Sequence, residues 1–171
     1  MTTDRQSDVR LRAYRSEDFP ILYEIDQACF PPGVSYSQGE LARFLAQRDC
    51  RAWIAEAGGR IVGFLIVERG GPTYAHIITI DVRAEWRCRG IGRTLMDAAE
   101  EWARDRRLAF MYLETAEDNV AAQQFYESRG YTKVDHINGY YANGRAAWLM
   151  VKNLAAAERI ARSKQQLTTD N

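Results

Sequence analysis

Ile78-Thr-Ile-Asp-Val82, then Arg87-Cys-Arg-Gly-Ile-Gly-Arg93 after a short polar link, then Thr94-Leu-Met-Asp-Ala-Ala99, decide how the chain is read. The alternating β-branched run is a strand signal. After the loop, Ile91, Leu95, Ala98 and Trp102 recur at helical spacing and predict one apolar helix face. Two glycines at the helix start let the backbone approach a ligand closely and leave the first N–H groups unblocked. Those N–H groups and the helix dipole favour an anion, and Arg87, Arg89 and Arg93 add positive charge at the same place. The stretch therefore predicts strand, glycine loop, helix, with a diphosphate at the loop.

Composition narrows what else the chain does. With 171 residues, of which 46% are hydrophobic, it is long enough to bury a core, and residues 1–152 read as one domain followed by a tail over 153–171. The formal net charge is zero, so no global field recruits nucleic acid or a membrane surface. No apolar run approaches the roughly 18 residues that span a bilayer, and the first residues lack a signal-peptide pattern. Cys29, Cys50 and Cys88 have no metal-like spacing and read as reduced thiols, which predicts a cytoplasmic protein without a metal site. Cys88 reads as part of the phosphate cradle rather than as a nucleophile.

Working outward, Val9–Ala13 alternates as a first strand. Ser16 is a candidate cap for a helix carrying Ile21, Leu22, Ile25 and Cys29, stopped by Phe30-Pro-Pro-Gly33. A second helix begins near Ser37 with Leu41, Phe44 and Leu45. Arg51–Ala57 and Arg60–Glu68 form a hairpin through Gly58-Gly59, and Tyr74–Val82 is the strand feeding the loop. Ala109–Thr115 is a strand, Asn119–Arg129 a helix ending at Gly130, and Tyr131–Ile137 and Arg145–Lys152 a final strand pair. The tail begins as an Ala-rich helix. The predicted fold is α/β, a mixed sheet with helices on both faces.

A Gly-x-Gly at a helix start is weak evidence alone. A dinucleotide fingerprint needs a third glycine where Leu95 stands, and a Walker loop needs Gly-Lys-Ser/Thr where the chain has Gly92-Arg93-Thr94. What remains is Arg87-x-x-Gly90-x-Gly92, then Leu113-Glu-Thr-Ala-Glu-Asp-Asn119, then Phe125-Tyr126-Glu-Ser-Arg-Gly-Tyr131. These motifs resemble those of the GNAT superfamily of acetyl-CoA-dependent N-acetyltransferases, over roughly Val9–Lys152. Within it the chain is most similar to the ribosomal-protein alanine N-acetyltransferases. Cys29-Phe-Pro-Pro32 with Ser35 and Glu40-Leu41, Glu114 with Asn119 and Tyr126, and Asn138-Gly-Tyr-Tyr-Ala-Asn-Gly144 carry that likeness. Two departures, Gly33-Val34 where that family has Trp and the acidic Ala116-Glu117-Asp118, lie near where an acceptor would approach.

The resemblance implies a seven-stranded, mostly antiparallel sheet splayed at its centre and flanked by about four helices. It implies acetyl-CoA as the cofactor, with diphosphate on Arg87, Cys88, Arg89, Gly90, Ile91, Gly92 and Arg93, and pantetheine along the backbone of Ile80, Asp81 and Val82. Asn119 and Tyr126 would face the pantetheine and sulfur, with Tyr126 protonating the departing thiolate. Glu114 would be the general base, through water, and Tyr140 and Tyr141 would line the peptide slot. Direct attack by the amine is implied, with no acyl-enzyme. His76 and His136 read as ordinary strand residues rather than bases.

Amine chemistry adds a preference. A free α-amine titrates near 7.7–8.0 and a lysine near 10.4, so freeing the lysine at neutral pH costs about 3–4 kcal/mol more. The expected acceptor is a peptide or protein N-terminus, and the resemblance implies that of a ribosomal protein. The enzyme is expected to be a monomer or homodimer. The alternatives are a lysine, polyamine or small-amine acceptor, an acyl-CoA-binding module without turnover, and, less well supported, a nucleotide-binding protein.

Overall fold

The computed structural model describes residues 9–155. The strands are β1 (Arg10–Ala13), β2 (Cys50–Ala57), β3 (Arg60–Arg69), β4 (Tyr74–Val82), β5 (Phe110–Ala116), β6 (Thr132–Ile137) and β7 (Ala147–Asn153). The helices are α1 (Phe19–Cys29), α2 (Gln38–Ala46), α3 (Ile91–Asp105) and α4 (Val120–Ser128). Element order follows the sequence reading throughout. The Ala-rich tail predicted beyond Asn153 lies almost entirely outside the described residues.

The seven strands form one open sheet in the order β1-β2-β3-β4-β5-β7-β6. β1/β2, β2/β3, β5/β7 and β6/β7 are antiparallel, whereas β4/β5 is parallel. A parallel neighbour needs a long crossover, and α3 supplies it. The β4/β5 ladder registers Tyr74 to His76 against Phe110 to Tyr112. β5 continues to Ala116, paired with β7 over its whole length.

Two compact units divide the chain. The first comprises residues up to Glu68 together with Ile77–Ala99. Its core joins Leu22 and Ile25 of α1, Leu41 of α2, Ile54 of β2, Ile61, Phe64 and Ile66 of β3, and Ile78 of β4. Burying each such side chain is worth ~1.5–3 kcal/mol before entropy is charged. Ser37 caps α2 as the sequence predicts, in a capping box with Glu40. Ser16 does not cap α1. A short 3-10 turn, Ser16–Asp18, precedes that helix; Asp18 stands at the N-cap position of α1 without a side-chain cap bond, and its carboxylate instead accepts the Arg15 N–H at 2.8 Å, closing the turn. Arg12 holds the same carboxylate with two N–H groups at 2.7 and 2.8 Å, and its Nε reaches Glu56 at 2.6 Å.

The second unit comprises Arg69–His76 together with the residues from Glu100 onward. Glu100, 2% exposed, accepts from Lys152 Nζ at 2.7 Å, Arg129 at 3.3 Å and Arg104 at 3.4 Å, and the buried Tyr131 hydroxyl lies 3.5 Å away. A buried carboxylate is tolerable only when so compensated. Besides Glu100, the buried residues of α3 are Ile91, Leu95, Met96, Ala99 and Ala103. Ala98 and Trp102, expected in the stripe, are half-buried because the helix turns Met96 and Ala99 inward instead.

Candidate active site

In the first unit, β4 ends at Val82 and a 3-10 turn, Ala84–Trp86, leads to the arginine-rich loop. Arg87 Nε donates to the Val82 carbonyl at 3.0 Å, and the Arg89 guanidinium stacks 4.9 Å from the Trp86 ring centre. The loop turns through two left-handed residues, Cys88 at φ 59° and Gly90 at φ 82°. The Gly90 carbonyl accepts from both the Thr94 N–H, at 3.0 Å, and the Thr94 hydroxyl, at 3.1 Å. Helix geometry then leaves the N–H groups of Ile91, Gly92 and Arg93 without an intrahelical acceptor.

That arrangement fits a diphosphate. A side chain at Gly90 would enter open space, so the backbone there is accessible to a ligand. Arg87, Cys88, Arg89, Gly90 and Arg93 are all exposed. Ile91 and Asp81 have buried side chains and could offer a ligand only their backbone. Ile80 and Val82 are half-buried on the same strand end.

In the second unit, Glu114 and Tyr112 lie on one face of β5. The β4/β5 register sets His76 opposite Tyr112. The His76 ring stacks on that of Tyr112, 4.3 Å between centres and 6° from parallel. Its Nε2 comes within 2.6 Å of Glu114 Oε2. The two side chains retain only 15% and 14% of their exposure. Neither the contact nor Tyr112 is predicted from the sequence, where His76 reads as an ordinary strand residue. The signal that would reveal it is the register of β4 against β5.

The β6–β7 turn brings Tyr140 and Tyr141 to the same carboxylate. Their rings meet edge to face, 4.8 Å apart. Desolvation, then the Glu114 charge, raises both phenols: Tyr141 is pushed up to about 12, and Tyr140, which also hydrogen-bonds Glu114, rises further. Both phenols thus stay protonated at neutral pH and serve as donors. The acidic linker flagged in the sequence is partnered: Glu117 meets His136 Nε2 and Asp118 pairs with Arg145, each at 3.0 Å.

Asn119 caps α4, its side-chain oxygen accepting from Ala122 N–H at 3.2 Å, which leaves its amide N–H₂ for another partner. Tyr126 lies in α4, 8% exposed, its ring 5.4 Å from Phe125 and 6.0 Å from Tyr131. The structure thus gathers Glu114, Tyr140 and Tyr141 in one cluster, with Asn119 and Tyr126 on α4 of the same unit.

A strand, glycine loop and helix N-terminus that fit a phosphorylated donor, and, in the second unit, a carboxylate–imidazole pair flanked by phenols, are features that suit a group-transfer enzyme. More narrowly, the chain belongs to the Acetyltransferase (GNAT) family, whose model matches residues 19–131. It is 35% identical over 154 residues to the N-alpha-acetyltransferase RimI of Mycobacterium tuberculosis, covering 88% of this chain and 95% of the relative. It is 27% identical over 163 residues to an N-alpha-acetyltransferase of Saccharolobus solfataricus, covering 88% and 96%. Among solved structures, the ribosomal-protein-S18-alanine N-acetyltransferase of Escherichia coli superimposes with a TM-score of 0.76 at 22% identity, over 85% of this chain and 94% of the other. The chain is a GNAT-type N-acetyltransferase, and the family uses acetyl-CoA. None of the described helices is long and apolar enough to cross a membrane.

Proposed function

We propose that this enzyme acetylates the α-amino group of a protein N-terminus, with a ribosomal protein as the favoured acceptor, in the cytoplasm. The observation that carries the reading is the Glu114 cluster, a carboxylate 2.6 Å from His76 Nε2 and in the field of two phenols. Relatives named N-alpha-acetyltransferase support the α-amine over a lysine. Three free thiols accord with a reducing compartment. The family match runs through both units, which supports treating residues 1–152 as one acetyltransferase domain.

Bound acetyl-CoA supplies the thioester whose carbonyl carbon the amine attacks. Arg87, Arg89, Arg93 and the N–H groups at the start of α3 hold the diphosphate by charge and by aligned donors. The backbone of Ile80–Val82 and the Asn119 amide orient the pantetheine arm. Tyr140, whose hydroxyl is engaged by Glu114, and Tyr141 line the peptide slot and orient its amine toward Glu114. Glu114 accepts the amine's proton, directly or through one water, while His76 keeps the carboxylate oriented. Tyr126 gives its phenolic proton to the leaving sulfur. Proton transfers of this kind each contribute about 10²–10⁴-fold.

A peptide panel with free and blocked α-amines, assayed by thiol release, tests the assignment. Turnover should require a free α-amine and persist when internal lysines are blocked. Equal turnover with an α-blocked, lysine-containing peptide would redirect the activity to side-chain amines.

A further inference from the structure

Two aspartates with no part in the acetyl-transfer chemistry face each other inside the first unit. Asp26 of α1 is 0% exposed and Asp81 of β4 is 1% exposed. One oxygen of each is well partnered. Asp26 Oδ2 accepts the Tyr36 N–H at 2.8 Å and Gln27 Nε2 at 3.1 Å, and Asp81 Oδ1 accepts the Thr79 hydroxyl at 2.5 Å. The other oxygens, Asp26 Oδ1 and Asp81 Oδ2, are buried and face no donor among the described residues. Cys29, one turn after Asp26 on α1, reaches the Val82 carbonyl at 3.5 Å, and Tyr36 bonds both Asp26 and the Ile78 carbonyl, so α1 sets Asp26 beside this stretch of β4, where the charge of Asp26 acts on Asp81. As two anions they would leave two desolvated oxygens in mutual repulsion. One added proton turns both orphans into a single O–H···O bond.

We propose that Asp26 and Asp81 share one proton, and that the proton-bridged pair is a positioning device holding the coenzyme-binding stretch Ile80–Val82, and Arg87 after it, against α1. The proposal rests on the reading of that stretch as the coenzyme site. The pair sits in a knot of contacts that makes it a fastening. The Tyr36 hydroxyl donates to the Ile78 carbonyl at 3.1 Å, Gln27 Nε2 donates to the Tyr36 carbonyl at 2.8 Å, and Cys29 Sγ lies 3.5 Å from the Val82 carbonyl. Burial raises both carboxyls above the ordinary carboxylate range, and the charge of Asp26 adds to the effect on Asp81. The other groups facing the pair are Glu40 on α2, which holds the proton in place, Arg87, which opposes it, and the neutral Cys29 thiol. From β3, Gly63 packs on the Asp81 backbone and brings no charge. When the shared proton leaves, two buried anions push α1 from β4 and draw Arg87 toward themselves, away from a diphosphate. Coenzyme affinity should therefore fall as pH rises through that step.

Calorimetric titration of coenzyme A into the full chain tests this across about pH 6 to 9, the range in which buried carboxyls of this kind titrate. Asp81→Asn and Asp26→Asn each replace the shared proton with a permanent amide donor and retain one negative charge. In the parent, Kd should weaken about tenfold per pH unit above the step. In both variants that component should vanish. A variant that keeps the parent's slope overturns the proposal. Should a variant fail to fold, the parent itself decides by ¹³C NMR of labelled aspartate: one carboxyl should remain protonated at neutral pH, and titration of both near about pH 4 would refute the shared proton. If neither parent nor variants bind coenzyme at any pH, the coenzyme reading fails and with it the positioning role, whereas the NMR titration still decides the shared proton.

Discussion

Replacing Glu114 by Gln isolates the proposed base. The amide keeps the shape of the side chain and can still meet His76, now 2.6 Å from the carboxylate, but it cannot accept the amine's proton. The folding cost is that of one weakened hydrogen bond, about 0.5–1.5 kcal/mol, so the variant should melt close to the parent. The kinetic cost is far larger. Loss of a positioned base removes about 10²–10⁴-fold, or ~2.7–5.4 kcal/mol of barrier lowering. The pH dependence distinguishes this from simple misplacement. Without Glu114 the surviving rate belongs to acceptors already neutral, so it climbs about tenfold per pH unit until the α-amine titrates near 7.7–8.0. The deficit should thus be greatest at low pH and narrow toward alkaline pH. Initial rates of thiol release with a peptide acceptor, taken across that range for both proteins, are the assay. A fall of less than about threefold at neutral pH, or a deficit constant at every pH, would remove Glu114 from proton transfer.

Tyr126→Phe should keep the ring's packing against Phe125 and Tyr131 and leave coenzyme binding intact while turnover drops about 10²-fold or more; unchanged turnover in a rate assay would exclude the phenol from the mechanism. Asp18→Ala breaks the two-pronged pair with Arg12, which keeps its contact with Glu56, and should cost about 1.5–3 kcal/mol in denaturant unfolding. Hydrogen bonds from Arg12 hold the folded Asp18 carboxyl below its usual range, so that stabilisation is complete above the unfolded carboxyl's pKa and is lost as pH falls through the lowered value. The parent's melting temperature should therefore fall more steeply on acidification than the variant's. Gly63→Ala would set a methyl 2.6 Å from the Asp81 carbonyl, forcing β3 from β4 at about 1–3 kcal/mol, and calorimetry should find weaker coenzyme binding as well.

What the sequence makes legible is whatever repeats locally. The alternation in Tyr74–Val82 and the two glycines after it were enough to locate β4, the loop and α3, because strand and helix periods are written in neighbouring residues. The start of α1 was not, because Ser16–Asp18 close a 3-10 turn whose carboxylate is held by Arg12 of β1, a contact between side chains that helix periodicity does not announce. β7 begins at Ala147 rather than Arg145 because Arg145 is engaged in the turn, its N–H donating to Asn143 and its carbonyl accepting from Tyr141. The site shows the same division. Arg87 to Arg93 are contiguous and readable, whereas the His76–Glu114 contact and the burial of both Asp26 and Asp81 emerge only once strand register and helix packing are known.

The backbone twist at Cys88 has a practical consequence. This residue presents its sulfur to solvent on the rim of the arginine-rich loop, while burial pushes the thiols of Cys29 and Cys50 up to about 11. Only a thiolate attacks an electrophile, and at neutral pH those two hold about one part in 10⁴ of theirs. A maleimide dye would therefore mark one atom of the native chain, with no cysteine added or deleted. Its rate of attachment should fall when coenzyme fills the loop, turning an accident of loop geometry into a built-in occupancy gauge.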